Sequence, residues 1–406
     1  MEGEMNRSLS IDLPVSKSIC NRLLIMEALA GVPLSHWENE CEDIEDMRKC
    51  IIEGLEGGKC HVKESGTALR FLIAFFALAR PAGSVTEISC RGRLAQRPIE
   101  GLLKMLMSLG MSAPKIVTDE DKKSVFITSS VLNGGSVIAD TALTSQFSSA
   151  LLLIAPYLSS PLCIKGDFKS MPYVGMTIEL MRRCGIHMDE EGEWIKVYEG
   201  GYKNLSSKKV EADWSAASFF YEYAAINGGK IYLKGLKEKG SLQGDAVWVP
   251  RLFYDLGIST DATTDGIEIE RGSHDLIYSR YNLSSCPDVV IPYVISCCFC
   301  GVKFRLRGLA SLRHKESDRI EALKVAMRQM GYVLEEGEEE GAPVLMWKGE
   351  RCEALPEGAA IEDFSDHRIA MAIECVGRGW PALHPDCVKK SFPNFYEELK
   401  KLKDKR

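Results

Sequence analysis

The chain has 406 residues, of which 45% are hydrophobic and 26% are charged, so its length predicts about two to three domains with ample core. Fifty lysines and arginines against 57 aspartates and glutamates give a formal net charge of −7. This balance argues against general nucleic-acid binding, which usually shows a basic domain, but it leaves room for an anionic small ligand held by a local basic cluster.

No membrane span or targeting segment is expected from the sequence. The N-terminal stretch MEGEMNRSLS is polar and lacks the apolar core of a signal peptide. The most apolar run, residues 71–79, is far shorter than the ~20 residues that a membrane helix needs. Fourteen cysteines without a framework spacing are typical of a reducing compartment, where thiols stay free. We therefore expect a cytoplasmic protein without a nucleic-acid or membrane partner.

Six segments share one pattern, in which a small polar or charged cluster runs into an apolar stretch typical of a buried helix. They begin near Ser16, Glu64, Leu143, Asp213, Cys286 and Phe364, at steps of 48, 79, 70, 73 and 78 residues. Chance recurrence is the alternative, because most helices begin with a polar cap. The fairly even spacing favours true repetition, which decides the fold where it is present.

A second class of helix alternates with the first. These amphipathic stretches end in a glycine followed by an apolar residue, and they span residues 99–111, 175–186, 245–258 and 315–332. Glycine is expected just past a helix end, because it adopts the left-handed conformation at little cost. Stretches typical of strands, residues 124–128 and 266–270, follow two of them. Each repeat thus predicts strand, buried helix, strand, amphipathic helix and more strand, which is an α/β or α+β fold.

The starts of the buried helices carry the main functional signal. If the repeats are related by symmetry, their N-termini converge, and free N–H groups with positive dipole ends form an anion site. Lys17, Ser18 and Arg22 open the first helix, with Ser18 and Arg22 four apart on one face. The other starts carry Gly66, Thr67 and Arg70, then Thr144, Ser145 and Gln146, and finally Asp366, His367 and Arg368. Each cluster alone fits an ordinary cap, but several cations in first turns favour a ligand.

The stretch KESDR at residues 315–319 is the most informative one. It is predicted to begin the fourth amphipathic helix, with Lys315 and Arg319 on one face of the first turn. Two cations at a helix N-terminus oppose the dipole and indicate a ligand anion. The alternative is pairing within the helix, which is worth only about 0.3 to 0.5 kcal/mol per pair. Further candidates are the basic turns Arg91, Arg93, Arg97 and Lys389, Lys390, and the acids Asp288 and Glu316.

Several competing motifs are absent from the sequence. It contains no G-x-x-x-x-G-K-[ST] phosphate loop, no G-x-G-x-x-G, no H-E-x-x-H and no G-x-S-x-G. Cys297 and Cys300 form one C-x-x-C inside an apolar run without a second ligand pair. Buried, inert thiols are therefore expected there rather than a zinc or redox site.

Eight strings identify a family, and they run in order from Leu13 to Phe395: LPVSKSICNR, ESGTALR, RLAQRPI, LTSQFSSALL, SMPYVGMT, KESDRIEAL, DHRIAMA and KKSFPNF. With them the chain resembles the enolpyruvyl transferase family, and within it the members that act on shikimate 3-phosphate rather than on UDP-N-acetylglucosamine. The resemblance implies a two-domain inside-out α/β barrel of six βαβαββ repeats, three per domain, with the active site in the interdomain cleft. The expected domains are residues 16–211 and residues 1–15 plus 212–406.

The resemblance also implies a reaction. The enolpyruvyl group of phosphoenolpyruvate passes to the 5-hydroxyl of shikimate 3-phosphate by addition and elimination through a tetrahedral intermediate, and phosphate is released. Neither a metal nor an organic cofactor is expected, and the protein is expected to be a monomer. Glyphosate is expected to occupy the phosphoenolpyruvate site.

The implied site residues fall into three groups. The catalytic residues are Asp288 and Glu316 as the acid/base pair and Lys17 as a proton relay. The residues for shikimate 3-phosphate are Lys17, Ser18, Arg22, Thr144, Ser145, Gln146, Ser170, Asp288 and Lys315, with Tyr173 as a neighbour. The residues for phosphoenolpyruvate are Lys17, Gly66, Arg97, Gln146, Arg319, Arg368 and Lys390.

The sequence departs from the family pattern at a few positions. Val15 stands for the usual Gly, Glu64 for Asn, Thr144 for Ser, Phe71 for a frequent Pro and Ser311 for a common Asn. If Glu64 faces the site, its charge should weaken phosphoenolpyruvate binding. Two alternatives remain open: an enolpyruvyl transferase with a different acceptor, and a ligand-binding module that has lost its chemistry. Retention of Asp288, Glu316 and Lys17 argues against the second.

Overall fold

The computed structural model describes residues 8–139, 145–166, 168, 171–205 and 209–404. Contacts within the chain divide it into two units. The first unit comprises Lys17–Trp37 and Glu42–Val210, and the second comprises the preceding residues, Glu38–Cys41 and the chain from Glu211 onward. The Glu38–Cys41 segment was not anticipated from the sequence. It joins the second unit, where the Val15 N–H donates to the Asn39 carbonyl at 3.3 Å.

Thirteen α-helices occur in the described ranges. They are α1 (Lys17–Ala30), α2 (Glu42–Gly57), α3 (Gly66–Phe76), α4 (Gly92–Gln96), α5 (Glu100–Ser108), α6 (Ser145–Ile154), α7 (Pro172–Arg183), α8 (Trp214–Asn227), α9 (Asp245–Tyr254), α10 (Val290–Phe299), α11 (Arg319–Gln329), α12 (His367–Val376) and α13 (Phe395–Lys403). The six predicted buried helices are confirmed as α1, α3, α6, α8, α10 and α12. The four predicted amphipathic helices are confirmed as α5, α7, α9 and α11. None of the described helices is long and apolar enough to cross a bilayer.

The same ranges contain sixteen strands. They are β1 (Leu9–Asp12), β2 (Lys59–Val62), β3 (Val85–Arg91), β4 (Lys115–Asp119), β5 (Lys122–Thr128), β6 (Gly135–Ile138), β7 (Leu162–Lys165), β8 (Met188–Glu191), β9 (Trp194–Val197), β10 (Lys230–Lys234), β11 (Ile258–Ala262), β12 (Gly266–Arg271), β13 (Tyr278–Asn282), β14 (Lys303–Arg307), β15 (Glu335–Glu339) and β16 (Ala342–Trp347). The predicted strands at 124–128 and 266–270 lie within β5 and β12.

The strands form four sheets of one topology in the described part of the chain. Their orders are β2-β3-β5-β4 and β6-β7-β9-β8 in the first unit, and β1-β10-β12-β11 and β13-β14-β16-β15 in the second. In each sheet the first two strands are parallel and the other pairings are antiparallel. Each sheet therefore belongs to a βαβαββ repeat. In one of them the first strand, β1, is distant in sequence from its partner β10, and Leu9 lies opposite Ile231.

The other two predicted repeats keep their helices, α1 with α2 and α12 with α13, but pair few strand residues. The described residues give only isolated bridges there, Val15–Ala212 and Ile361–Ala382. Proline explains part of this, because Pro356 and Pro381 lie in the segments flanking α12 and each removes a ladder donor. The repetition is thus complete in the helices and partial in the sheets.

Each unit is built around three packed helices: α1, α3 and α6 in the first, and α8, α10 and α12 in the second. Their sequences are apolar on nearly all sides, as expected for helices without a solvent face. Trp214, Tyr221 and Tyr293 are among the largest fully buried side chains of the second unit. This packing fixes the helix N-termini, where the predicted site residues lie.

Candidate active site

The first unit holds predicted residues at the N-terminal turns of its buried helices, with Arg97, the C-cap residue of α4, beside Gly66. This first-unit cluster consists of Lys17, Ser18, Arg22, Gly66, Arg97, Ser145 and Gln146. The turns of α3 and α6 are in direct contact, because Gln146 Nε2 donates to Thr67 Oγ1 at 3.0 Å. Ser65 caps α3 by accepting the Ala68 N–H at 3.3 Å. Thr144 and Ser170 lie outside the described residues.

Arg22 is buried among neutral groups. Its Nε donates to Thr177 Oγ1 at 2.7 Å, and its terminal nitrogens donate to the carbonyls of Ser18 and Tyr173 at 2.7 and 3.0 Å. The guanidinium carbon lies 5.3 Å from the centre of the Phe71 ring. Burial lowers the pKa of Arg22 to about 10. A cation desolvated in this way among uncharged described partners favours an anion that is not part of the protein.

Lys17 begins α1, where its charge opposes the helix dipole. It forms an ion pair with Asp43, with Nζ 2.9 Å from Oδ2, and Asp43 is itself buried in the first turn of α2. Sequence reasoning missed Asp43. The available signal was the acidic first turn of α2, but nothing in the spacing placed that turn beside α1.

Gly66 allows two arginines to approach the start of α3. Arg70 is fully buried and donates to the carbonyls of Gly66 at 3.0 Å and Pro98 at 2.8 Å. A Cβ on Gly66 would lie 2.5 Å from Cζ of Arg97 and 2.6 Å from Nη1 of Arg70. The absence of a side chain is therefore what admits the Arg97 guanidinium to the N-terminus of α3.

The second unit contains the stronger constellation. This second-unit cluster consists of Asp288, Lys315, Glu316, Arg319, Asp366, Arg368 and Lys390. Arg319 is its centre and is only 1% exposed. Its Nη1 lies 3.0 Å from Asp288 Oδ1, its Nη2 lies 2.8 Å from Glu316 Oε2, and its Nε lies 2.8 Å from Asp366 Oδ2.

The outer cations of the cluster share the same carboxylates. Asp288 also pairs with Lys315 at 3.3 Å and with Arg368 at 3.2 Å, while Glu316 pairs with Lys390 at 3.2 Å. The structure therefore joins all six residues that the family resemblance implies in this unit. Four cations face three carboxylates, so the cluster has an excess of one positive charge.

The charges of the cluster keep Asp288 and Arg319 ionised. Burial raises the pKa of Asp288, but Arg368, Lys315 and Arg319 outweigh it and hold that pKa well below the usual range. Burial lowers the pKa of Arg319, but its three carboxylate partners raise it further. Asp288 is thus a carboxylate, and Arg319 is a permanent cation.

One local prediction is wrong. Lys315 does not lie in the first turn of the amphipathic helix with Arg319, because α11 begins at Arg319. Asp318 is the N-cap, and its side chain accepts the N–H groups of Ile320 and Glu321. Lys315 instead follows a 3-10 helix, Ala310–His314. The two cations meet at Asp288 and not through a shared helix face.

The contacts of two acids of the second unit were missed by sequence reasoning. Asp366 was named in the cluster that opens the sixth buried helix, with an ordinary cap as the alternative. It does cap α12 by accepting the Arg368 N–H, and it is also the buried partner of Arg319. Asp245 begins α9 and accepts a hydrogen bond from Ser215 at 2.5 Å. Burial raises the pKa of Asp245 to about 7, and the nearby Asp288 charge adds to the shift. No spacing in the sequence indicated that these acids are buried.

The positions that depart from the family pattern have definite surroundings. Glu64 is exposed, directly before the cap of α3. Phe71 is buried against Arg22, and Val15 bridges Ala212. The C-x-x-C cysteines lie at the end of α10, where burial raises the pKa of both Cys297 and Cys300. All fourteen cysteines are in described ranges and none forms a disulfide.

Comparison with solved structures identifies the fold. Two structures of EPSP synthase from Acinetobacter baumannii match with TM-scores of 0.69 and 0.68, at 20% and 19% identity. The first match covers 97% of this chain and 96% of the other. At this level of identity the likeness concerns the fold, which is that of a two-domain α/β enolpyruvyl transferase.

Comparison of sequences identifies the family. The family model of EPSP synthase (3-phosphoshikimate 1-carboxyvinyltransferase) matches residues 11–399. The chain is 33% identical over 401 residues to a 3-phosphoshikimate 1-carboxyvinyltransferase of Bacteroides fragilis, covering 97% of this chain and 94% of the relative. A relative of that name in Haemophilus ducreyi is 30% identical, over 99% of this chain and 96% of its own. The chain belongs to the EPSP synthase family.

Proposed function

We propose that the chain transfers the enolpyruvyl group of phosphoenolpyruvate to the 5-hydroxyl of shikimate 3-phosphate, releasing phosphate, as the enolpyruvyl transfer step of the shikimate pathway. The observation that carries the proposal is the set of ion pairs around Arg319, which unites all six residues that family resemblance predicts in the second unit. Membership of the family gives the acceptor and the donor.

Phosphoenolpyruvate is assigned to two groups of cations and donors. In the first unit these are Lys17, Gly66, Arg97 and Gln146, and in the second unit they are Arg319, Arg368 and Lys390. A substrate with a carboxylate and a phosphate needs several charge-assisted hydrogen bonds, each worth about 1.5 to 3 kcal/mol. Arginine suits both groups because its planar fork binds them in a bidentate manner.

Shikimate 3-phosphate is assigned to a second set of residues: Lys17, Ser18, Arg22, Thr144, Ser145, Gln146, Ser170, Asp288 and Lys315. The buried state of Arg22 supports this assignment, because its described partners are neutral and a phosphate dianion would supply the missing countercharge. Tyr173 contributes a carbonyl that orients the guanidinium.

Asp288 and Glu316 are assigned the acid and base roles. In the addition step one carboxyl group protonates the methylene carbon of phosphoenolpyruvate, and the 5-hydroxyl adds to C2 and gives up its proton. In the elimination step a proton leaves the methyl carbon, and the C2–O bond to phosphate breaks. Asp288 suits the base role because it is ionised. Anionic substrates would draw Lys315 and Arg368 away from Asp288, which would raise its basicity when chemistry begins.

Glu316 suits the complementary role, and Lys17 is assigned the role of a proton relay. Glu316 lies between Arg319 and Lys390, at 2.8 and 3.2 Å, so both of its oxygens are oriented. Such orientation is what general acid–base catalysis requires, since the proton must pass between Glu316 and the substrate along a fixed line. No metal or organic cofactor enters the proposed steps.

Turnover with both substrates is the direct test. Phosphate release should depend on phosphoenolpyruvate and shikimate 3-phosphate together, and mass spectrometry should find the enolpyruvyl ether. Asp288→Asn should lower kcat by about 100-fold or more, as expected for loss of a positioned acid or base, while Glu397→Gln on the exposed face of α13 should leave it unchanged. Absence of product with saturating substrates would contradict the proposal, and product only from another acceptor would redirect it.

We further propose a cytoplasmic monomer. The fourteen cysteines without a disulfide support a reducing compartment. Light scattering on the purified chain should give a mass near 45.1 kDa. A mass near twice that value would contradict the monomer.

A further inference from the structure

Two consecutive residues just before α12 have left-handed backbones. Phe364 and Ser365 have φ values of +56° and +54°, and neither is glycine. This conformation is strained for residues with a side chain, by about 1 to 2 kcal/mol each, and it persists where the surrounding structure enforces it. Both side chains are exposed, so packing of these side chains does not enforce it.

A buried carboxylate enforces it instead. Asp363 is fully buried, and its Oδ1 accepts the Ser365 N–H at 2.8 Å. The Asp363 carbonyl accepts the Asp366 N–H at 2.9 Å, which closes the turn. Glu362 contributes from the surface by accepting the Phe364 N–H at 2.8 Å. Phe364 and Ser365 therefore adopt left-handed conformations because their N–H groups donate to the carboxylates of Glu362 and Asp363.

The same carboxylate holds a second segment. Its Oδ2 accepts the His384 N–H at 2.6 Å, and its Oδ1 accepts the His384 Nδ1–H at 2.8 Å, since a carboxylate can only accept. His384 is the N-cap residue of a 3-10 helix, Pro385–Lys390, whose last residue is Lys390. Asp363 thus ties together the turn that leads to Asp366 and the 3-10 helix that ends at Lys390.

We propose that Asp363 is a positioning residue for the phosphoenolpyruvate half of the site. Through the left-handed turn Asp363 sets the start of α12. Asp366, which pairs with Arg319, caps this helix, and Arg368 lies in its first turn. Through His384, Asp363 sets the 3-10 helix that delivers Lys390 to Glu316. The inference rests on the proposed function, because it presupposes that these cations bind phosphoenolpyruvate.

A metal site is the competing explanation. Ligand atoms of Glu362, Asp363 and His384 all lie within 4.8 Å of one another. However, both oxygens of Asp363 already accept backbone N–H groups. The hydrogen bonds of the Asp363 carboxylate are therefore supplied by the protein itself. A metal ion would have to displace the N–H contacts that shape the turn.

The central experiment compares the KM values of the two substrates. Asp363→Ala should raise KM for phosphoenolpyruvate about tenfold or more while KM for shikimate 3-phosphate stays within about twofold, since loss of a buried hydrogen-bonding partner moves the groups that it held. Glu374→Gln is the matched control. Glu374 is also buried, lies on α12 and accepts the Ala382 N–H at 3.1 Å, but it contacts neither residue of the turn.

A rescue separates positioning from a general structural role. Ser365→Gly in the Asp363→Ala background should restore a large part of the phosphoenolpyruvate KM, because glycine adopts the left-handed conformation without the carboxylate. Ser365→Val in the parent should imitate Asp363→Ala, because a β-branched residue resists that conformation. These variants also test the proposal if Asp363→Ala does not fold.

Three outcomes would overturn the inference. The first is an Asp363→Ala protein with an unchanged KM for phosphoenolpyruvate. The second is an equal rise in both KM values without rescue by Ser365→Gly. The third is parent activity that a chelator abolishes and Zn²⁺ or Mg²⁺ restores, which would assign the cluster to a metal. An inactive parent chain would contradict the proposed function instead. Hydrogen exchange at residues 364–370 and 384–390 would then still test whether Asp363 holds both segments.

Discussion

Nε of Arg319 lies 2.8 Å from Oδ2 of Asp366, and the two side chains are 1% and 0% exposed. A charge pair so completely removed from water depends on both partners, because either one alone would be a buried, uncompensated charge. Ser317 adds a hydroxyl donor to the same Asp366 oxygen at 3.0 Å. This pair links the first turn of α11 to the cap of α12.

The first prediction concerns this pair. Asp366→Ala should destabilise the protein by about 3 to 5 kcal/mol, the usual cost of breaking a buried pair, and part of that cost is the lost cap. Urea denaturation measures it, with Glu397→Gln on exposed α13 as the control. A loss below about 1 kcal/mol, the value typical of surface pairs, would contradict a tightly coupled pair.

The second prediction concerns Gly66. Gly66→Ala places a methyl group against the guanidinium groups of Arg97 and Arg70, so we expect Arg97 to shift. The inhibition constant of glyphosate should rise by a larger factor than kcat/KM falls. Glyphosate depends on the phosphoenolpyruvate site alone, whereas the substrate also gains stabilising interactions in the later steps of the reaction. Inhibition constants and kcat/KM for both proteins provide the comparison. An equal loss in both quantities would refute it.

Gly175→Ala is the matched control for Gly66. Gly175 lies inside α7, and a Cβ there would meet nothing within 4 Å. Alanine is favoured over glycine in a helix interior by roughly 0.5 to 1 kcal/mol. This variant should therefore be slightly more stable and kinetically unchanged.

The third prediction concerns Glu222, a fully buried residue of α8. Among the described residues neither of its carboxylate oxygens has a hydrogen-bond partner, and burial raises its pKa well above the usual value. The folded state therefore keeps a proton that the unfolded chain releases above about pH 4.3. The stability contribution of Glu222 consequently falls as the pH rises from there towards the folded-state pKa.

Glu222→Met should remove this pH-dependent loss of stability with little change in side-chain volume. The variant should be more stable than the parent, and its advantage should grow between pH 5 and pH 8. Denaturation at several pH values measures the difference, and Glu397→Gln should give a difference that does not vary with pH. A constant or shrinking advantage would mean that Glu222 has a partner or is charged in the folded state.

The fourth prediction concerns the contact between Phe71 and Arg22. Phe71→Leu removes a cation–π interaction of about 0.5 to 2 kcal/mol, so KM for shikimate 3-phosphate should rise roughly two- to thirtyfold. Phe75→Leu is the control, since Phe75 is equally buried on α3 and packs edge-on against Phe76. Both variants should lose stability, but the kinetic effect should be confined to Phe71. A similar KM in the two variants would show that the ring does not orient Arg22.

The sequence was sufficient for elements whose cause is local. Ser65, Asp213 and Asp366 all cap helices as their residue types predict, and the apolar stretches behind them are the buried helices. The ordered family strings also predicted Arg319, Arg368 and Lys390 as site residues, because a resemblance assigns a role to a numbered residue without knowledge of its position in space.

What the sequence could not supply were relationships set by packing. The start of α11 was misplaced by four residues because Lys315 and Arg319 fit one helical face, and the preference of Asp318 for the cap decided otherwise. Asp43 and Asp245 look like ordinary acids in the first turns of α2 and α9. Their importance comes from burial beside a residue that is distant in sequence, which no local pattern records.

The parallel pairing of β1 with β10 has a consequence for how the protein is made. The Ser16 N–H donates to the Glu211 carbonyl at 2.9 Å. The chain leaves the second unit after Ser16 and rejoins it at Glu211, and between these points only Glu38–Cys41 belongs to the second unit. The first unit can fold as soon as it leaves the ribosome. The first strand made, β1, must wait for its partner β10, which is synthesised only after the whole first unit, and such non-local closure is slow. β1 therefore stays unpaired until β10 has been made, and the sheet that contains both strands closes only after the first unit has been synthesised.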